Sequence, residues 1–455
     1  MMKTSSILFI LTLSLSGCTM IPEYERPSMP VTACYPDIAA TSETHSAEIA
    51  WQDFIHEERL QKLIELALKN NRDLRVAILN VEKIRAQYRI TKAASVPSVD
   101  GNGNFTRSHA AGMTSDSWGA SIGITAYEAD LFGRVRSLNR QALEKYFATD
   151  EARQSAQISL IAETATQYFA LREAEEQLEL AQRTHKAAQN SYELNKASFD
   201  AGAISGLDLC TAEGQVQTAQ INVLTYERQR AQSENALILL VGQALPTDLP
   251  ATQSFGETNI LSDVSPGLPS ELVQRRKDIL EAEHTLKAAN ANIGAARAAF
   301  FPQITLTSSI GTTSSQLSDL FGSGTGVWSF SPQITLPIFT GGKLRASLNA
   351  AKISERIEVA NYEKAIQTAF REVTDALAAN SNYRQQIETS AKLAEVQERR
   401  FELANFRYRQ GEDSYLNVLS AQQDLYSAQQ SLIQAQYNKL ASQIALYKAL
   451  GGGWR

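Results

Sequence analysis

Cysteine is nearly missing from this 455-residue chain, with Cys18, Cys34 and Cys210 its only three. Three thiols cannot make a disulfide framework. Proline is also sparse, 12 in all, and the long Ala/Gln/Glu/Leu/Lys-rich stretches are almost free of it, which points to a mainly helical protein. Neither charge sign dominates: 43 Lys and Arg face 49 Asp and Glu, for a net charge of -6. No basic field for nucleic acid follows, and no nucleic-acid partner is expected. The histidines (His45, His56, His109, His185 and His284) are scattered, none in a His-Glu-x-x-His spacing. With no phosphate loop and no Gly-x-Ser-x-Gly elbow, the expectation is no enzyme, no cofactor and no metal. Beyond the N-terminus no stretch of about 18 apolar residues occurs, so no transmembrane helix is expected.

What is present begins at the N-terminus. Lys3 precedes an apolar run from Ile7 to Leu15, then Ser16-Gly17-Cys18. Residues 1–17 read as a signal peptide, too short to span a bilayer. The Leu15-Ser16-Gly17-Cys18 ending resembles a bacterial lipobox, which implies cleavage before Cys18 and acylation of that residue; the alternative is an ordinary signal with an accidental cysteine. Thr19 stands where an aspartate would suggest inner-membrane retention. Residues 18–56 contain Pro22, Pro27, Pro30 and Pro36 without periodicity and read as an extended, lipid-anchored arm.

The rest is one unit written twice, a pattern to be recognised before elements are assigned. A shift of 205 lays Asp73 on Asp278, Leu74 on Ile279 and Pro97 on Pro302. A shift of 209 lays Gly133-Arg134-Val135-Arg136 on Gly342-Lys343-Leu344-Arg345, Gly202 on Gly411, Ser205 on Ser414 and Gly242 on Gly451. The first repeat, 57–242, is expected to hold a helix to about Ala94, strands over about 98–108 and 117–128, a long helix over 134–201 and a return helix over 206–241. A linker, 243–269, leads to the second repeat, 270–451. This holds a helix, strands over about 302–311 and 327–338, a long helix over 344–410 and a return helix over 415–450. Residues 452–455 form a tail.

The helices show apolar residues at i, i+3, i+4 and i+7, as at Leu74, Ala77, Ile78 and Val81. The strands alternate instead. Trp118, Ala120, Ile122, Ile124 and Ala126 share one parity, and Gly119, Ser121, Gly123 and Thr125 the other. Trp328, Phe330, Ile334, Leu336 and Ile338 repeat the pattern. A half-buried soluble strand or a membrane-barrel strand fits it. The polar segments Ser108–Ser117 and Thr312–Gly326 read as loops. Each long helix, about 100 Å at 1.5 Å per residue, stops at a glycine suited to a left-handed cap. Ser205 or Ser414 then caps the return helix, and Asp208 completes a capping box with Ser205. Four strands cannot close a barrel, and open edges are costly in hydrocarbon, so other copies must complete one.

The stretches GLPSELVQRRKD (267–278), LPIFTGGKLRA (336–346) and ALYKALGGGW (445–454) resemble the TolC-family outer-membrane factors, in the lipoprotein branch serving resistance-nodulation-division efflux pumps. The resemblance spans essentially the whole mature chain. It departs at Lys277, where the family has proline, which bears on the local helix start. It implies a homotrimer in which twelve strands form a transmembrane β-barrel above a long α-helical, coiled-coil-like barrel in the periplasm. It further implies a periplasmic adaptor and an inner-membrane transporter as partners, outer-membrane lipid around the strands, and multidrug efflux as the function. A duct for type I protein secretion is the near alternative; a lipid-anchored helical spacer without a pore is the alternative from another class.

Three sets of site residues follow. Glu412 and Asp413 put two acids in the second helix turn, where three copies would form a carboxylate ring favouring cations. A solvated turn complementing the next helix N-terminus is the competing reading; the resemblance favours a periplasmic gate, with Asp413 at the family's constriction position. The turns Gly202, Ala203, Ile204, Ser205 and Gly411, Ser414 are the expected adaptor contacts. Arg134, Arg136, Lys343 and Arg345 open the long helices just after the strands, where lipid phosphates or ordinary acids could meet them.

Overall fold

Asn71 breaks the first helical run. Its Oδ1 accepts from the backbone N–H of Asp73 at 2.9 Å and of Leu74 at 3.0 Å, so it caps a new helix. After the short α1 (Trp51–Phe54), the single helix expected over 57–94 is therefore two pieces, α2 (Glu58–Asn70) and α3 (Arg72–Ala93). The computed structural model describes residues 19–32, 35, 49–252, 260 and 269–453. The signal segment, Cys18, Cys34 and most of the linker lie outside these residues.

After α3 come β1 (Val99–Ala110), β2 (Met113–Glu128), α4 (Arg134–Asp200) and α5 (Gly206–Val241). The second half runs α6 (Pro269–Arg275), α7 (Lys277–Ala298), β3 (Gln303–Ser314), β4 (Gly326–Thr335), α8 (Lys343–Arg409) and α9 (Tyr415–Ala449). Here too a break falls where one helix was expected, at Arg276. Lys277 is the first residue of α7, so the helix starts at this point without the proline that would be favoured there.

The chain divides into two units. The first takes residues up to Met29, Leu79–Ala152 and Asp278–Ala365. It carries a four-stranded antiparallel sheet in the order β1-β2-β3-β4. The expected Ser108–Ser117 loop is instead strand: Arg107 pairs with Asp116, Ser108 with Ser115 and His109 with Thr114. The chain reverses at Ala111-Gly112, both at positive φ (51° and 81°), the two-residue turn whose twist suits a hairpin. Likewise β3 continues to Ser314, past its expected end, while β4 stops at Thr335 and leaves Leu336 and Ile338 beyond the strand. Between Ile124 and Tyr127 the β2–β3 register slips, and Ala126 has φ 50°. This bulge adds one residue to β2. It explains why Trp118 lies 210 residues before Trp328, whereas Gly133 lies 209 before Gly342.

The second unit takes Pro30–Ile78, Arg153–Lys277 and Ile366–Arg455. Its core gathers Phe54, Leu60, Ile64, Tyr168, Phe169, Leu237, Ile444 and Tyr447. The Phe54 and Tyr447 rings stack with centroids 4.0 Å apart, and Tyr447 donates to the Ile49 carbonyl at 2.6 Å. The buried Tyr168 hydroxyl donates to Glu57, so neither polar group is left unpaired. Two contacts tie helix ends together in matching fashion: Asn71 Nδ2 donates to the Leu240 carbonyl at 3.0 Å, and Arg276 Nη1 to the Ala449 carbonyl at 3.1 Å.

Candidate functional site

The helix turns at the ends of α4 and α8 have one backbone design. Ala203 N donates to the Ser198 carbonyl and Gly202 N to the Phe199 carbonyl, both at 2.8 Å. In the second turn Glu412 N donates to Arg407 at 3.0 Å and Gly411 N to Tyr408 at 2.9 Å. Both are Schellman closures, and Gly202 (φ 75°) and Gly411 (φ 76°) supply the left-handed residue.

The side chains diverge. Ser205 Oγ accepts from Asp208 N at 3.2 Å and Asp208 Oδ2 accepts from Ser205 N at 3.2 Å, a complete capping box. Ser414 makes no side-chain cap, contrary to expectation. The Asn417 backbone N–H goes to the Ser414 carbonyl at 3.1 Å, and the residue three places on is Asn417 here rather than Asp208, so no reciprocal box forms. Asn417 Nδ2 donates instead to Asp413 Oδ1 at 2.5 Å, and that oxygen also accepts from Ser414 N at 2.9 Å. Arg407 Nε stands 3.5 Å from the other oxygen. Asp413 is thus clasped within its own chain. The Asn417 hydrogen bond, then the Ser414 N–H and the Arg407 charge, hold its carboxyl below the usual aspartate range. Glu412, Ala203 and Gly411 are exposed, and Ile204 is half-buried.

A link just inside the turns was not read from the sequence. Tyr408 donates to Asn195 Oδ1 at 2.9 Å, and the Ser191 and Tyr415 hydroxyls lie 3.0 Å apart, beside an apolar cluster of Ala212, Tyr415 and Val418. These bonds couple α4 with α8 and α9. The available signal was that Phe199 and Tyr408 correspond under the 209 shift, with only the second carrying a hydroxyl.

At the sheet end, the cations separate into two classes. Arg134 Nε donates to Glu128 Oε1 at 2.8 Å, and Arg136 pairs with Asp130 Oδ2 at 3.2 Å. Ordinary salt bridges therefore engage these two. The 209 shift places Pro337 and Phe339 where Glu128 and Asp130 stand, and Lys343 and Arg345 are exposed. Ile338 and Phe339 beside them are 93% and 90% exposed.

The sheet segregates its faces. Ile122 pairs with Ile310, and Ile310 with Trp328. The Phe105 and Trp118 rings meet at a 34° tilt with centroids 4.3 Å apart, and Ile304 pairs with Ile334. Ile122, Ile310, Trp328, Phe330 and Ile334 are all 59–79% exposed, an apolar surface too continuous for water. The opposite face carries Asp100, Asn102, Asn104, Ser121, Ser309, Thr313 and Ser329. Glycine at 123 and 311 lets strands approach there: a Cβ on either would come within 2.2 Å of a neighbouring carbonyl oxygen. β1 and β4 each have a partner on one side only. No described helix is long and apolar enough to cross a membrane.

Comparison with known proteins agrees with this arrangement. Residues 63–243 and 268–452 match the family described as "Outer membrane efflux protein". The chain is 45% identical to the "Probable efflux pump outer membrane protein TtgC" of Pseudomonas putida KT2440, covering 100% of this chain and 96% of TtgC. It is 41% identical to the "Outer membrane protein OprJ" of Pseudomonas aeruginosa over 98% of this chain and 95% of OprJ. Among solved structures, the open-state MtrE outer membrane channel of Neisseria gonorrhoeae superposes with a TM-score of 0.91 at 40% identity, covering 96% of this chain and 99% of that one.

Proposed function

The chain belongs to the outer membrane efflux protein family, and we propose that it is the outer-membrane duct of a tripartite pump. It carries small molecules from an inner-membrane transporter of the resistance-nodulation-division type, through a periplasmic adaptor, to the exterior. The outer membrane is its location, and passage rather than chemical conversion is its work. The observation that carries this reading is the sheet: one apolar exposed face, one polar face, and an unpaired edge on each side. In lipid such edges are satisfied only by closure. Three copies give twelve strands and a barrel, with β4 of one chain meeting β1 of the next.

The doubled architecture is supported by contacts that recur under the two sequence shifts. Asn71 to Leu240 becomes Arg276 to Ala449 when the shifts of 205 and 209 are applied. Gly242, beside Asn70, becomes Gly451, beside Arg275. Cys18 is the proposed acylated first residue. The turns Gly202–Ser205 and Gly411–Ser414 are the proposed adaptor contacts, and Glu412 with Asp413 the proposed gate. The clasp on Asp413 favours a closed resting turn that adaptor binding must release. Lys343 and Arg345, rather than Arg134 and Arg136, are the proposed headgroup contacts. The test is complementation: the gene, expressed with its adaptor and transporter in a strain lacking its own outer-membrane efflux proteins, restores drug resistance. Surface expression without any gain in resistance would contradict the reading.

A further inference from the structure

Glu173, on α4, is a buried carboxyl without a counter-ion. It is 6% exposed. The charged residues around it on α4 and α5 satisfy one another. Arg172 pairs with Glu175 at 2.6 Å and with Glu176 at 3.6 Å, and Arg230 with Glu175 at 3.9 Å and with Glu234 at 3.7 Å. α9 carries no charge between Asp424, which pairs with Arg400, and Lys439, and neither of these pairs with Glu173. What faces Glu173 is phenol. Tyr226 of α5 and Tyr437 of α9 are both pushed up by burial and then by the nearby Glu173 charge, so neither can neutralise it. Burial without a cation favours the neutral acid. It pushes the Glu173 carboxyl above the usual glutamate range, although the Gln177 amide stabilises its charge.

One helical turn on, Gln177 is 3% exposed and starts a link across three helices. Its Nε2 donates to the Gln430 carbonyl of α9 at 3.2 Å, and Gln430 Nε2 donates to the Tyr226 hydroxyl of α5 at 2.7 Å. Gln177 Oε1 is buried and has no partner. A buried amide oxygen calls for a donor. A carboxylic acid has one O–H to give and a carboxylate has none. The neutral form of Glu173 therefore supplies what the link lacks, and the charged form competes for the N–H that the link uses. The repeat does not demand an acid at this place: the 209 shift lays Glu173 on Asn382, which is exposed.

We propose that Glu173 is a proton-held latch on the packing of α4 against α5 and α9. With the proton in place, its O–H donates to Gln177 Oε1 and leaves Gln177 Nε2 on the Gln430 carbonyl. With the proton released to water, the carboxylate takes Nε2, and the bridge to α9 and through it to Tyr226 opens. The folded-state value is raised, so the latch's contribution is complete below the ordinary glutamate value of about 4.3. It is lost as pH rises through the raised value. Its sense is opposite to that of the Asp413 carboxyl, which is held low. The latch itself does not depend on the duct reading; only its effect on conduction does.

The test uses the full-length protein in detergent. Infrared difference spectra across an acid-to-alkaline titration report the protonated carboxyl band. A component that outlasts ordinary glutamates and is missing from Glu173→Gln is expected. Glu281, also held up by burial and by Asp278, is the internal control and stays in both proteins. In parallel, hydrogen exchange of the α9 segment around Gln430, corrected for the chemical rate, is followed from about pH 5 to about pH 8. Wild type is expected to speed up by roughly threefold or more. Glu173→Gln, whose amide donates without titrating, stays slow throughout, and Gln177→Leu is fast throughout while keeping the infrared component. An infrared component unchanged in Glu173→Gln overturns the proposal, as does the same pH dependence of exchange in wild type and Glu173→Gln. A Glu173→Gln chain that exchanges faster than wild type at about pH 5, or fails to fold, also overturns it, because the neutral amide should serve as the neutral acid does.

Discussion

Asn417 donates its side-chain amide to Asp413 at 2.5 Å, and this one bond distinguishes the two helix turns. It turns an acid that would otherwise face solvent into the centre of a clasp with Ser414 N and Arg407. The carboxyl pKa is lowered, so the clasp's contribution is complete above the ordinary aspartate value of about 3.9. It is lost only as pH falls through the lowered value. Planar-bilayer conductance is therefore expected to hold steady from neutral pH to about 4 and to rise below that. Asp413→Ala raises conductance at neutral pH and weakens cation preference. Glu412→Ala, at an exposed site without the clasp, alters ion preference with less change in conductance. Unchanged selectivity and conductance in the double variant would return both acids to a solvated turn.

The capping contrast gives a second prediction. Ser205→Ala removes a complete capping box and should cost about 1 kcal/mol in chemical denaturation. Ser414→Ala removes no side-chain cap and should stay within about 0.5 kcal/mol of wild type. Equal losses would show that the two serines act alike.

The capping difference also marks where sequence reading ended. Period-two alternation separated the apolar face of the sheet from its polar face, because successive side chains of a strand point to opposite sides. The proline-free runs exposed the long helices. The hairpin tip was misread because Ser108, His109, Thr114 and Ser115 look like loop residues but pair across strands at the polar end of a hairpin. The break at Asn71 was missed because no proline marks it, whereas the one at Arg276 was signalled only by the resemblance, through the family proline that Lys277 replaces. Each is fixed by a long-range hydrogen bond, to Leu240 or Ala449. The Ser414 cap was not legible because the Asn417 backbone N–H it would have met goes to the Ser414 carbonyl at 3.1 Å instead. Arg134 and Arg136 were placed correctly beside the sheet, but their partners, Glu128 and Asp130, lie six residues back across the strand-to-helix bend. The likeness of the paired acidic and basic residues across that bend was the missed signal.

The face assignment of the sheet is tested by charge. Ile122→Arg puts a cation on the apolar face and should cost up to about 2–4 kcal/mol, seen as loss of assembled protein on semi-native gels. Ser121→Arg, one residue away on the polar face, should assemble normally and change conductance instead. Equal assembly defects in the two would contradict a lipid-facing surface.

The central claim is that four strands per chain are completed by two further copies to make a conducting barrel. Native mass spectrometry of the detergent-solubilised protein, combined with single-channel recording of the same sample, tests it most directly. Three chains per particle together with discrete conductance steps is the result predicted. A monomer that still conducts, or a trimer that never conducts even after Asp413→Ala, would contradict it.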